Sequence, residues 1–420
     1  MSWPQHYDPG VRSLIGLITF VHATLVATSP VVLFSMVQPM TDVPAAAAWA
    51  LAFYLVFGRR VGSALGAGLA AGIATLIRPN LVPSAVVIGV WLVFKFLRDA
   101  PNRPLHFKRT AAFIAGFVPA VVILAVVYTW LYGSPVSSGY GPLGQYYFLS
   151  HVLPNLHSYL SWLAESQTPL AYAGLVAIAL PLRRLWPDAP DLSMVAALGA
   201  LAATLWGQYS AFQLLTSWVY LRYVVASFPA IMLGVGAVGL LAVRWGGKAA
   251  IVVTAAVVIG LGLWTFDFAN HTGGLNVWQG EYKYAATAQL VRARTPEKSV
   301  VLAGQYSGSL RYYGGRMTMR ADSLSGEWLD RTVEWFAARN IRVYALLEEE
   351  EVDRFFEAFP GQQHAVLAGR LVFVYRGTAT AFFYDLSRAA GEPSKPESVA
   401  ETYTGPLFFL PAPPPTFLSQ

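Results

Sequence analysis

Three charged side chains stand out by type and placement. Asp42 sits between two apolar runs in Ser29-Pro30-Val31-Val32-Leu33-Phe34-Ser35-Met36-Val37-Gln38-Pro39-Met40-Thr41-Asp42-Val43-Pro44. Arg78 closes another run in Ile77-Arg78-Pro79-Asn80, and Arg222 lies in Tyr220-Leu221-Arg222-Tyr223. A carboxylate can position or activate a hydroxyl, and guanidinium forks match the oxygens of a phosphate. An arginine at the centre of a membrane span costs about 2.5–3.5 kcal/mol, so charges near spans are candidate functional groups. Each also has a structural reading. Asp42 before Val43-Pro44 makes a good helix N-cap with proline in the first turn. Arginines close to span ends can reach lipid headgroup phosphates by snorkelling. Both readings stand on the residues alone.

The elements that must carry these groups are membrane helices. The chain has 420 residues, 55% hydrophobic and 12% charged, with mean hydropathy +0.47. Soluble domains carry about 25% charged residues, so the composition points to a bilayer. The formal charge of +6 is then expected from basic cytoplasmic loops, and nucleic acid is not expected as a partner. There are no cysteines, which excludes disulfides, thiolate metal sites and cysteine nucleophiles. No cleavable signal peptide is evident, because the apolar run after Arg12 leads straight into further hydrophobic segments.

Nine spans are expected, over Ser13–Phe34, Val43–Phe57, Val61–Ile77, Val82–Leu97, Thr110–Tyr132, Thr168–Leu182, Leu192–Gln213, Trp218–Val243 and Ala249–Phe268. Several fall short of the roughly 20 residues that cross a hydrocarbon core. Gly62, Gly66, Gly68 and Gly72 form two small-xxx-small pairs that permit close helix contact. With alternating sides, Arg12, Arg59, Arg60, Lys95, Arg98, Arg103, Lys108, Arg109, Arg183, Arg184, Arg244 and Lys248 share one face, and Arg78 and Arg222 the other. The positive-inside rule places the N-terminus in the cytoplasm. Asp42, Arg78, the loop Tyr132–Gln167, Arg222 and everything after Phe268 are then expected outside.

That loop offers Tyr140, Tyr146, Tyr147, Phe148, Tyr159 and Trp162 with His151, His157 and Glu165. It reads as an interfacial aromatic belt, on an amphipathic helix lying flat, or as an acceptor- or lipid-covering loop built on Tyr146, Tyr147, His151 and Glu165. His151 and His157 have no nearby third ligand, so no metal site is expected. Beyond Phe268 charges become frequent. Ser299–Gly304, Met317–Arg320, Arg342–Leu347 and Leu371–Tyr375 read as strands. Asp330–Arg339 and Glu350–Phe359 read as amphipathic helices, the first burying Val333, Phe336 and Ala337. The run Glu348–Glu351 suits a helix start. The expected organisation is a cytoplasmic N-terminus over 1–12, a transmembrane domain over 13–268 and an extracytoplasmic α/β domain over 269–390. A proline-rich tail over 391–420 is expected to be extended or disordered.

In this order, the Ser29-Pro30 to Pro44 stretch, Ile77-Arg78-Pro79-Asn80 and Tyr220-Leu221-Arg222-Tyr223 with Pro229 resemble the GT-C membrane glycosyltransferases. The nearest branch is that of protein O-mannosyltransferases and lipid A aminoarabinose transferases. The resemblance implies an enzyme of the bacterial inner membrane that moves a sugar, with inversion, from a polyprenyl-phosphate donor to a protein, lipid or glycan acceptor on the outer face. It casts Asp42 as the acidic residue of the second outer loop, Arg222 near the lipid phosphate, and Arg78 on the same face. Against the family pattern, the first two spans and the outer loop with the principal catalytic aspartate are expected to be lacking; Asp8 falls on the cytoplasmic side. No cofactor is expected, and nothing indicates a divalent cation. A non-catalytic polyprenyl-lipid-binding or envelope scaffold protein is the alternative.

Overall fold

The computed structural model describes residues 22–38, 40–138, 146–187, 189–320, 328–360, 370–387 and 396–400. Asp8, Arg12, the first part of the Ser13–Phe34 segment, Pro39, Tyr140 and the tail from 401 onward lie outside the described residues. The chain divides into two units, Met1–Leu275 and Asn276–Gln420.

The first unit is helical and membrane-embedded by length and composition. Pro79–Arg98, Ala100–Tyr132, Leu192–Ser210, Trp218–Gly247 and Ala249–His271 are each long and apolar enough to cross a bilayer. In chain order its helices are α1 (Pro30–Val37), α2 (Asp42–Val56), α3 (Val61–Ile77), α4 (Pro83–Arg98), α5 (Arg103–Tyr132), α6 (Val152–Gln167), α7 (Leu170–Ala179), α8 (Leu192–Ser210) and α9 (Phe228–His271). At 1.5 Å per residue α2, α3 and α7 are about 22, 26 and 15 Å long, short of a hydrocarbon core of about 30 Å. The helix α7 stops before Pro181, well inside the expected Thr168–Leu182 segment. Conversely α5 begins at Arg103, so Lys108 and Arg109 stand inside the helix and not before it.

Close packing follows the small residues, though not all of those singled out above. A Cβ at Gly68 would sit 2.1 Å from the Phe113 carbonyl oxygen, and one at Gly72 would sit 2.8 Å from Ala120 Cβ. Gly68 and Gly72 therefore seat α3 on α5, where Gly116 answers from the other side. Gly62 meets nothing within 4 Å, and Gly66 only the Leu55 side chain. Gly247 has φ 60° and ψ −146°, which breaks α9 into two arms. Gly239 and Thr254 then lie against each other, so the arms run back to back. Before α9, Trp218–Ser227 forms a ten-residue 3-10 helix where a regular span was expected.

The second unit is a three-layer α/β fold. It contains α10 (Val277–Arg294), β1 (Ser299–Ala303), α11 (Ser307–Tyr312), β2 (Met317–Met319), α12 (Trp328–Ala337), β3 (Arg342–Glu348), α13 (Glu349–Ala358), β4 (Leu371–Arg376), β5 (Thr380–Asp385) and β6 (Glu397–Ala400). The sheet order is β2-β1-β3-β5-β4-β6, parallel across β2, β1 and β3, antiparallel through β5, and parallel again between β4 and β6. Alternation divides the core between its faces. Val301, Ala303, Tyr344 and Leu346 pack with α10 and α11; Val300, Leu302, Val343, Ala345 and Leu347 pack with α12 and α13.

Three expectations change here. The helix α10 replaces a stretch read only as charged, because its inner face is Ala285, Ala286, Ala288 and Val291. In α12 the inward stripe is Leu329, Val333 and Phe336, while Ala337 is exposed. The strand β6 lies inside the stretch expected as tail. The acidic run does start a helix: the Glu348 and Glu351 side chains bond each other's backbone N–H in a capping box.

Candidate arginine–tyrosine site

Asp42 is the first residue of α2. The N-cap is Thr41, whose side chain makes no capping bond, so Asp42 is not the cap. Its carboxylate is 4% exposed and accepts instead from Arg78 Nη1. Pro79 explains the reach. A residue before proline is driven out of the α region, and Arg78 adopts φ −145°, ψ 89° as α3 ends. The break turns the guanidinium towards the start of α2.

Arg222 is carried by the 3-10 stretch. At three residues per turn, positions i and i+3 eclipse. Leu221, Val224 and Ser227 accordingly form one fully buried row. On the neighbouring row Tyr220 and Tyr223 stack at 5.8 Å with 27° between planes. Arg222 lies 5.7 Å from the Tyr220 ring centre and 5.2 Å from that of Tyr223. Arg78 lies 5.5 Å from the same Tyr223 ring. Tyr209, at the end of α8, stacks on Tyr223 at 5.1 Å and neighbours the Arg78 guanidinium. The two arginines and Asp42 thus meet around Tyr223, which reading the sequence did not single out.

The charges do not balance. Asp42 answers Arg78. Among the described residues Arg222 donates from Nη1 only to the thioether of Met40, at 2.7 Å, a weak acceptor. Its Nε is buried and meets no acceptor among the described residues. The aromatic faces favour a cation there, and a spare, partly desolvated guanidinium favours an anion next to it.

The candidates between Tyr132 and Gln167 separate. Tyr146 stacks on Phe212 at 6.1 Å, Tyr147 pairs with Phe212 through an isolated β-bridge, and His151 Nδ1 lies 3.0 Å from the Phe212 carbonyl oxygen. Phe212 in turn meets Tyr223 edge-on at 5.5 Å. These three residues therefore border the arginine–tyrosine cluster. Glu165 does not join them: it lies on the exposed side of α6 and accepts from Ser161. His157 is exposed, and no group of metal-ligating side chains occurs among the described residues. Asn155 was missed. Buried on α6, it donates to the carbonyls of Ser210, Phe212 and Gln213 and accepts from the Leu215 N–H, which fixes the segment that presents Phe212.

In the second unit, polar groups gather at the carboxyl ends of parallel β1 and β3, the usual ligand position in such sheets. Lys283 pairs with Glu348 at 2.5 Å, and the Gln305 N–H donates to Glu351 at 3.2 Å. Burial pushes the Glu281 carboxyl up, against the pull of Lys283.

Compared with known proteins, the chain matches no family model, no curated protein and no solved structure. What fold and site define together is a class: a membrane-embedded helical protein with an anion-favouring arginine cluster and an appended α/β unit.

Proposed function

We propose that the protein is a GT-C-type glycosyltransferase of nine spans that uses a polyprenyl-phosphate sugar donor on the outer face of the bacterial inner membrane, with the α/β unit on that face. The observation that carries this reading is Arg222, a guanidinium seated on two tyrosine rings with no carboxylate partner among the described residues. In the reaction an acceptor hydroxyl oxygen bonds to C1 of the sugar as the C1–O bond to phosphate breaks, and the hydroxyl proton passes to solvent water. The leaving polyprenyl phosphate gains charge, and a fixed guanidinium beside it stabilises that charge. Arg78, held by Asp42, supplies the second cationic group. Tyr146, Tyr147 and His151 cover the donor or acceptor.

The test is reconstitution of the protein with a lipid-linked sugar and measurement of polyprenyl phosphate release. Release should occur and should fall at least tenfold in Arg222→Gln, in line with the loss of one oxyanion-stabilising donor. Release that is unaffected by Arg222→Gln contradicts the assignment.

One observation favours a second reading. The Asp42 carboxylate is already committed to Arg78, which leaves it poorly placed to take a proton. A polyprenyl-lipid-binding or scaffold protein needs no base. Polyprenyl phosphate binding that is lost in Arg222→Gln, with no release in the parent, would select that reading.

A further inference from the structure

One cavity of the first unit lies apart from the arginine–tyrosine cluster. It has a volume of about 1250 Å³ and lies between α4 and α8. Along its length the walls are apolar, with Val86, Val90 and Phe94 on α4 facing Ala197 and Ala200 on α8. The helix α4 has 16 residues, so the groove is about 24 Å long. Polar groups gather where α4 ends and α8 begins. Arg59 belongs to this end, and α3 separates it from Arg78 by about 26 Å.

Ion pairing at that end is incomplete. The carboxylates lining the cavity are Asp99 and Asp191. Asp191 is taken by Lys95 at 2.9 Å and Asp99 by His106 at 3.0 Å. Arg59, Arg98 and Arg109 also line the cavity, and none of them makes an ion pair among the described residues. Arg109 is 4% exposed. Its Nη2 donates to the Val56 carbonyl at 2.5 Å, its guanidinium lies 5.7 Å from the Trp91 ring centre, and its Nε is buried without an acceptor among the described residues. A basic side chain at a membrane surface needs no explanation beyond lipid contact. A buried guanidinium with no counter-ion does, because desolvating it is costly unless an anion answers it.

We propose that this groove binds an anionic phospholipid, its phosphate on Arg109, Arg59 and Arg98 and its hydrocarbon chains along α4 and α8. The apolar length of the groove is what selects a lipid: a free phosphate would meet the arginines and leave most of the cavity unfilled. This inference does not depend on the glycosyltransferase reading, since none of its residues belongs to the Tyr223 cluster.

The experiment is native mass spectrometry of the detergent-purified full chain titrated with phosphatidylglycerol or phosphatidylcholine. Phosphatidylglycerol should remain bound, and Arg59→Gln/Arg98→Gln, which leaves Arg109 in place, should weaken it roughly thirtyfold for two basic groups. Filling the groove by Ala200→Phe should weaken it without altering charge. Arg222→Gln should leave it unchanged, which separates a failure here from a failure of the proposed reaction. Undiminished binding in either the double variant or Ala200→Phe overturns the proposal. So does equal binding of phosphatidylcholine, or displacement of phosphatidylglycerol by millimolar inorganic phosphate.

Discussion

The Asp42–Arg78 pair permits a quantitative test. Asp42 is 4% and Arg78 13% exposed at the side chain, so replacing either partner leaves the other charge buried. Breaking such a pair from one side costs about 3–5 kcal/mol. Arg78 keeps the face of Tyr223 when Asp42 is changed, a contact worth about 0.5–2 kcal/mol, so Asp42→Asn should cost about 3 kcal/mol. Arg78→Gln should cost about the same, because the stranded carboxylate has no other ion-pair partner among the described residues. The double variant removes both charges and should lose little more than either single, a coupling of about 2–3 kcal/mol. Unfolding in mixed detergent micelles, followed by tryptophan fluorescence for all four proteins, gives that number. Additive single losses, with coupling below about 0.5 kcal/mol, would refute the pair as a structural unit and return Asp42 to the free carboxylate that acid–base chemistry requires.

Other perturbations have equally definite signs. Gly68→Ala should destabilise by about 1–3 kcal/mol through overpacking against the α5 backbone, whereas Gly62→Ala should be neutral or stabilising by up to about 1 kcal/mol; the same unfolding assay separates them. Thr168, buried between α6 and α7, has φ 73°, a conformation costing about 1–3 kcal/mol outside glycine. Thr168→Gly should therefore raise stability by about 1 kcal/mol, and a loss would show that the side chain matters more than the backbone. Asp191 is pushed up by burial but pulled further down by Lys95 and Ser193, and Asp99 is held down chiefly by His106; both carboxylates lie outside the spans. Both folded values lie below the ordinary 3.8, so their stabilisation is complete above that pH and is lost as pH falls through and below it. Thermal melts from pH 6 to 3 should show a steeper loss in the parent than in Asp191→Asn.

What the sequence revealed follows from what physical signals survive in one dimension. Charge near apolar runs is rare and costly, so Asp42, Arg78 and Arg222 were visible before any geometry. Strands β1, β3 and β4 were legible because Val, Leu, Phe and Tyr alternate or run between polar breaks. Partners were not. The mate of Asp42 is 36 positions away, and the Gln167–Ser29 bond spans 138. Tyr223 was hidden because an aromatic residue at membrane depth is expected on composition alone. The 3-10 stretch carries the same apolar composition as a span, and only the repeat at i and i+3 of Tyr220 with Tyr223, and of Leu221 with Val224, hinted at the tighter pitch. In α10 the inner face is mostly alanine, which a hydropathy reading scarcely registers.

That pitch gives Arg222 a mechanical property. A 3-10 helix rises about 2.0 Å per residue against 1.5 Å in an α-helix and turns about 20° more at each step. If Trp218–Ser227 rewound to α geometry about the fixed start of α9, Arg222 would withdraw by about 3 Å and swing through about 120°. Tyr220 and Tyr223 would fall out of eclipse in the same movement, and the guanidinium would lose its aromatic seat. The segment is thus a short screw: one change of thread both retracts the cation and dismantles the platform beneath it.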